Sequence, residues 1–289
     1  MSAAEAELRL PAPLVEKAVA EALAEDLGEA GDITTAATVA PDAAASGIIA
    51  ARKPGVVAGL QVAEAAFRAL DPEVRFDIFV PDGGNAEAGQ QIARVTGIAG
   101  ALLTTERVAL NFLGHMSGIA TLTRTYVETI SVTRAQIIDT RKTTPGLRAF
   151  EKLAVRAGGG LNHRFGLFDA ILIKDNHIVA AGGIGAALNK AHERSGHMVR
   201  VEIEVTTLDE LTQALAHNAE AVLLDNMSIA TLREAVVQVA GRAVTEASGG
   251  VNLDTVRTIA ETGVDLISVG ALTHSAPVLD IGLDFEPSR

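Results

Sequence analysis

The chain has no cysteine, no tryptophan and a single tyrosine in 289 residues, and aromatic residues make up only 3%. Without cysteine there is no disulfide framework, no thiolate zinc site and no cysteine nucleophile. Few aromatics beside cations leave no stacking platform for single-stranded nucleic acid, and a net charge of −12 opposes binding to DNA or anionic lipid. No run of eighteen apolar residues suggests a membrane helix. The opening "MSAAEAELRLPAPLVEKAVAEALAEDLG" lacks a basic stretch followed by an apolar one, so no signal peptide is expected. A cytoplasmic location, with no membrane and no nucleic acid among the partners, is the resulting expectation.

What is present points to an α/β protein. Hydrophobic residues reach 48%, and with so few aromatics the core must be built from Ala, Val, Leu and Ile. "APLVEKAVAEALAEDLG" carries apolar residues at helical spacing, with Gly28 as its stop. "SGIIAARKPGVVAGL" reads as short strands around Lys53-Pro54-Gly55, "QVAEAAFRAL" as a helix and "VRFDIFV" as a half-buried strand. The acids of "EDLGEAGD" read as a solvated helix end. These first hundred residues, mixed without regular order, read as a separate α+β domain. "ALLTTERVALNFLGHMSGIATLTRTYVETI" is a long helical pattern with a break expected near Ser117-Gly118.

Beyond it the rhythm becomes regular. Short apolar runs, "QIID", "AILIK", "RVEIEV", "AVLLD", "RAVTEA" and "DLISVG", alternate with helix-like segments. Near-continuous apolar strands in β-helix-β alternation imply a parallel sheet or barrel.

Parallel sheets of this kind place chemistry on the loops after the carboxyl ends of their strands. Nearly every strand here ends in a reactive group: Asp139, then Arg141 and Lys142; Lys174; Glu204; Asp225; Glu246 with Ser248, Gly249 and Gly250; and Gly270. The stretch from Asp139 to Ile178 holds seven cations against four acids, inside an acidic chain. Arg presents a planar fork suited to carboxylates and phosphates, and Lys a compact charge. Glu204 and Asp225 suit Mg²⁺ bridging phosphates, and the glycine turns "SGGVNLDTV" and "VGALTHS" let backbone N–H groups approach a phosphate. The set describes a highly anionic substrate bearing phosphate, metal-bridged pyrophosphate and carboxylates. Arg148, Lys152 and Arg156, at near-helical spacing with Glu151, read as surface or supporting residues. Glu204 and Asp225 could also serve as salt-bridge partners of the lysines, "GGG" at 158–160 as a tight crossing, and His115, His177 and His274 as structural histidines.

The block "DTRKTTPGLRAFEKLAVRAGGGLNHRFGLFDAILIKDNHI", with "ERVALNFLGHMSGIAT", "LLDN", "EASGG", "VGALTHS" and "EDLGEAGDITT", resembles the quinolinate phosphoribosyltransferases over nearly the whole chain. The resemblance implies an N-terminal α/β sandwich-like domain, residues 1–115, with the tail 276–289 packed back on it. An incomplete, seven-stranded type of α/β barrel would follow at 116–275. It implies transfer of phosphoribosyl from phosphoribosyl pyrophosphate (PRPP) to quinolinate with decarboxylation, Mg²⁺ as cofactor, and a homodimer, with assembly beyond the dimer open.

Carried over by position, Arg107 would enter the partner's site and bind a quinolinate carboxylate. Thr140, Arg141, His163 and Arg164 would form the dicarboxylate pocket. Lys142 and Lys174 would lie near the ribose and pyrophosphate, and Glu204 and Asp225 would hold the metal with PRPP. Ser248, Gly249, Gly250, Gly270 and Ala271 would cradle the 5-phosphate, with His274 a weaker candidate. Lys142, Lys174, Glu204 and Asp225 carry the catalytic expectation. Nicotinate or another heteroaromatic acid as acceptor, a molybdate-transport-linked paralogue, a Schiff-base chemistry at Lys174 and a non-catalytic anion binder are the alternatives.

Overall fold

A computed structural model describes residues 8–286. The described residues form two compact units, one of residues 8–124, 149–159 and 275–286, the other of 125–148 and 160–274.

The first unit opens with the helix Ala12–Leu27, whose buried stripe Val15, Val19 and Leu23 repeats every fourth residue; Gly28, at φ 51°, follows it. Asp32 caps the next helix, Ile33–Thr38, accepting the Thr35 N–H at 2.9 Å. It also accepts the Thr104 hydroxyl at 2.9 Å, so one of the acids read as solvated is a cap and a cross-link. Strands β1 (Ala44–Ala51), β3 (Arg75–Ile78), β5 (Gln91–Ile98) and β12 (Ile281–Phe285) form an antiparallel sheet in the order β12-β1-β5-β3. Gly55–Val56 (β2) pairs instead with Asn85–Ala86 (β4). The helix Leu60–Leu70 buries Leu60, Val62, Ala63, Ala66 and Phe67. Asp82 accepts the N–H of Leu60 at its start, at 3.2 Å.

The helix Ala99–Thr129 runs unbroken through Ser117 and Gly118, against the expected break. Ser117 is buried, and its hydroxyl bonds the Ala58 N–H at 2.9 Å and the Ala58 carbonyl at 3.2 Å. At Gly118 a Cβ would strike the Pro277 carbonyl, and at Gly114 one would stand 3.0 Å from that of Leu279. These glycines provide close backbone approach, not a hinge.

The helix Arg148–Ala157 also clusters with this unit from Ala149 on, so the contacts divide the chain differently from a line at 115/116. Phe150 meets Phe112, with ring centroids 5.6 Å apart, and buried Glu151 bonds His115 at 3.0 Å. Gly158 lies against the Ala120 carbonyl and Thr123, where a Cβ would not fit, which makes this glycine a tight crossing. Lys152, read as a surface or supporting residue, is only 2% exposed. The error was one of phase: Phe150, Leu153 and Ala154 set the buried face, and Glu151 and Lys152 fall inside it.

The second unit holds six parallel strands: β6 (Gln136–Ile138), β7 (Ile171–Ile173), β8 (Val201–Val205), β9 (Ala221–Asp225), β10 (Val244–Ser248) and β11 (Leu266–Ser268). Their order is β6-β11-β10-β9-β8-β7. The expected seventh strand is a single bridge, Leu161 to Ile138; between β6 and β7 there is no other pairing among the described residues. β9 is buried from Ala221 to Leu224, as a continuous apolar run implies, whereas β8 alternates. On β8, Val201, Ile203 and Val205 are buried while Glu202 and Glu204 are half-buried. Ile137, Val222, Leu224, Ala247 and Ile267 complete a buried apolar face. The strand registers place the other residues of each strand on the opposite face, because neighbouring residues of a strand point to opposite sides.

Candidate active site

That opposite face carries the ionisable groups. Glu202 and Glu204 of β8 lie two residues apart, as do Glu246 and Ser248 of β10, and therefore share a side. Glu204 is in register with Leu223 and that with Glu246; Asp225 is in register with Ser248. All six strands run the same way, so their carboxyl ends open onto one rim.

At the rim Lys174 follows β7. Its Nζ meets Glu204 Oε2 at 2.8 Å, the lysine side chain half exposed and the glutamate 13% exposed. Its backbone N–H donates to His177 Nδ1 at 3.0 Å, which gives that histidine a structural task. Asp225 ends β9, and its Oδ2 accepts the Asn226 amide at 2.8 Å. Asn226 has a left-handed backbone, φ 51°. Its side chain fills the place a Cβ would take on Gly249, and its N–H bonds the Ser248 carbonyl at 2.9 Å. Gly249 and Gly250 stand at φ 93° and 63°, which favours glycine. The turn after β10 is therefore braced by Asn226, a residue that sequence reasoning did not single out; its place next to a strand-end acid was the available signal.

After β6 the chain turns through Thr140, Arg141 and Lys142. The Lys142 N–H donates to Thr140 Oγ1 at 3.0 Å, and its carbonyl accepts the Thr273 hydroxyl at 2.7 Å. A Cβ on Gly270 would lie 3.1 Å from Lys142 Cδ and 3.3 Å from His274 Nε2, so Lys142, Gly270 and His274 share one corner; Ala271 opens the single turn Ala271–His274. Arg141 and Lys142 are exposed. Arg148 ties this loop down, donating to Thr143 Oγ1 at 2.9 Å and to the Phe165 carbonyl at 3.2 Å, a supporting role.

Arg164 is half-buried; one Nη donates to the Ala170 carbonyl at 3.0 Å, while its Nε is buried without a partner. Burial, then the neighbouring Arg141 charge, lowers its pKa. Two neighbouring guanidinium groups, one with an unsatisfied donor, are an arrangement that can take up an anion.

Below the rim lies a second layer. Asp139, fully buried, accepts the His163 N–H at 2.9 Å and the Asn162 amide at 2.6 Å. His163 Nδ1 accepts the Arg164 N–H at 2.7 Å, and Nε2 lies 3.1 Å from Glu202 and 3.5 Å from Glu246. Burial, then the charge of Glu202, pushes the Glu246 carboxyl well above the ordinary carboxylate range. Among the described residues His163, Glu202 and Glu246 form the one cluster with a metal-binding spacing.

Arg107 belongs to the first unit. It is an exposed residue on the helix Ala99–Thr129, beside a cavity of about 110 Å³ that it lines with Glu25, Asp26 and Asn111.

A two-unit α/β chain whose parallel strands end in cations, acids and glycine turns has the build of an enzyme for an anionic small molecule. Its relatives narrow this. The family models described as "Quinolinate phosphoribosyl transferase, N-terminal domain" and "Quinolinate phosphoribosyl transferase, C-terminal domain" match residues 32–117 and 119–284. The chain belongs to the quinolinate phosphoribosyltransferase family. It is 45% identical over 274 residues to the nicotinate-nucleotide pyrophosphorylase [carboxylating] of Mycobacterium leprae, covering 92% of this chain and 95% of that one. It is 44% identical over 260 residues to the probable nicotinate-nucleotide pyrophosphorylase [carboxylating] of Bacillus subtilis, covering 90% and 89%. The solved nicotinate-nucleotide pyrophosphorylase of Francisella tularensis superposes with a TM-score of 0.92 at 41% identity, covering 96% of this chain and 98% of that one.

Proposed function

We infer that this chain is a decarboxylating quinolinate phosphoribosyltransferase, which forms nicotinate mononucleotide, CO₂ and pyrophosphate from quinolinate and PRPP in NAD biosynthesis. One observation supports it most: a rim of cations set for several anionic groups (Arg141, Lys142, Arg164, Lys174) beside two carboxylates, in a chain of this family.

In this reading Arg141 and Arg164 grip the two quinolinate carboxylates, with Thr140 and His163 beside them. Lys142 and Lys174 face the ribose and the departing pyrophosphate. Ser248, Gly249, Gly250, Gly270 and Ala271 receive the 5-phosphate through backbone N–H groups. As the C1–O bond of PRPP lengthens, positive charge grows on the ribose and negative charge on the pyrophosphate. Fixed lysines stabilise the leaving anion, and the carboxylates of Glu204 or Asp225 offset the sugar cation. The pyridine nitrogen bonds to C1, the resulting cationic ring stabilises the electron pair left on C2 when the adjacent carboxylate leaves as CO₂, and C2 then takes a proton from water to give nicotinate mononucleotide.

Glu204 and Asp225 offer hard oxygen donors on one sheet face, the kind Mg²⁺ takes together with phosphate oxygens. They would hold that ion, which when bound neutralises pyrophosphate charge. Lys174 bonds the same Glu204 oxygen, so PRPP entry must loosen or share this pair. The chain acts as a homodimer in the cytoplasm, with Arg107 reaching into the partner's site.

The test is turnover of quinolinate and PRPP with Mg²⁺, following ¹³CO₂ from substrate labelled at the 2-carboxyl. Labelled CO₂ in equal amount to pyrophosphate is expected. Pyrophosphate release with nicotinate and none with quinolinate would replace quinolinate by the monocarboxylate as acceptor.

A further inference from the structure

In the layer beneath the rim, Asp139, Glu202 and Glu246 have no part in the chemistry just described. The members of this layer come from four elements: Asp139 after β6, His163 and Arg164 on the segment that stands in for a seventh strand, Glu202 on β8 and Glu246 on β10. That segment has only the Leu161–Ile138 bridge to hold it in the sheet, so its position depends on side chains. Asp139 fixes the His163 backbone N–H, and the imidazole fixes the rest.

We propose that Glu246, acting with Glu202, is a positioning residue that clamps the His163 ring and so sets Arg164 for the quinolinate carboxylate. The hydrogen bonds assign each proton. His163 Nδ1 accepts the Arg164 N–H, which requires a lone pair there and places the ring proton on Nε2. Nε2–H then donates to Glu202 at 3.1 Å and faces Glu246 at 3.5 Å. Glu246, 2% exposed, is the more enclosed of the two carboxyls that face the ring, and it closes the side of the imidazole that Glu202 leaves open.

The same assignment disfavours a metal in this cluster. Metal on Nε2 would need that proton removed while Nδ1 still accepts the Arg164 N–H. The consequence for Arg164 is specific. Repelled by Arg141 and with its Nε unpaired, it would relax outward unless its backbone were held, and the clamped histidine holds it through the Arg164 N–H.

This rests on the reading that Arg164 grips the substrate carboxylate, and variants of the full-length enzyme separate the two ideas. Arg164→Ala tests the reading: an unchanged KM for quinolinate ends it. If that KM rises, Glu246→Ala tests the clamp. It should raise the quinolinate KM about 10–100-fold, the scale for residues that orient a binding group from behind, with the PRPP KM within about twofold and kcat little changed. Glu246→Gln, which keeps a donor for Glu202 and an acceptor for His163, should restore the quinolinate KM to within about threefold. A catalytic or metal-binding carboxylate would lose as much with Gln as with Ala, so equal damage overturns the clamp. An unchanged quinolinate KM in Glu246→Ala overturns it too, as does an equal rise in both KM values. Should Glu246→Ala fail to fold, Glu246→Gln decides alone: a preserved quinolinate KM supports the clamp and a tenfold rise rejects it.

Discussion

Two sets of acids lie on one face of the parallel sheet and behave differently. Glu204 and Asp225 at the rim touch a lysine and an amide and stay open to ligands. Glu202 and Glu246 close on a histidine. The strand repeat delivers the same residue type to both sets; burial sets them apart. At the rim a carboxylate beside cations can serve a polyanionic ligand bridged by metal. On β10 burial makes the charged form costly and pushes the Glu246 carboxyl well above the ordinary carboxylate range.

The comparison breaks most visibly at the rim. Lys174→Ala should lower kcat/KM by about 10²–10³, the range for a preorganised donor, while steady-state kinetics of Glu246→Gln should stay near wild type. A Lys174→Ala enzyme with full activity would remove the rim from the chemistry. Subunit mixing sharpens the point. In a two-fold dimer with crossed sites, an Arg107→Ala subunit paired with a Lys174→Ala subunit leaves one site intact. Equal mixing and reassembly of the two inactive variants should return about a quarter of wild-type activity, since about half the dimers are hybrids with one good site. No recovery in dimers shown to be hybrids would place Arg107 in its own subunit's site.

Gly249→Ala comes next. The new Cβ would strike Asn226 and sit at φ 93°, a strain of about 1–3 kcal/mol. If the turn yields locally, the PRPP KM should rise about tenfold, with the quinolinate KM unmoved. Equal changes in both constants would mean that the turn serves the sheet as a whole.

The smallest effect carries the burial argument to the other unit. Asp82, beside a cavity of about 250 Å³, has its carboxyl pushed up by burial to about 6. The unfolded chain releases that proton near pH 4 while the folded chain keeps it until near pH 6. Stability contributed by the protonated form is therefore lost as pH rises through that window. Partial solvent exposure limits the loss to about 1–2 kcal/mol. Asp82→Asn should remove this slope and raise the melting temperature at pH 7, measured against wild type at pH 4 and pH 7. Parallel melting curves at both pH values would show that Asp82 ionises freely in the folded protein.

The strand ends were legible because a parallel strand is a short apolar run, and the residue after it stands out. Lys174, Asp225 and the Ser248-Gly249-Gly250 turn were found that way. The layer beneath was harder to see. Glu202 and Glu246 sit inside their strands, where only knowledge of which face is open separates a core polar residue from a site residue. Asn226 was missed because an asparagine beside an acid has no strong pattern; its left-handed backbone emerges only in the turn. Lys152 and Glu151 looked like solvent-facing charges because helical spacing gives a period and not a phase. Ser117-Gly118 suggested a break from composition, yet the serine finds partners at Ala58 and the glycine makes room for Pro277. The six apolar runs are the six paired strands; the seven-stranded type came from the resemblance, and Leu161 lies on a stretch that pairs with Ile138 through one residue only among the described residues.

β12 is the outer neighbour of β1 in the antiparallel sheet, from Gly47 opposite Phe285 to Ala51 opposite Ile281. β1 thus waits for a partner that follows the whole parallel-sheet unit in the chain. That unit is synthesised in between, and until β12 emerges one flank of β1 remains an open seam, available to a neighbouring nascent chain.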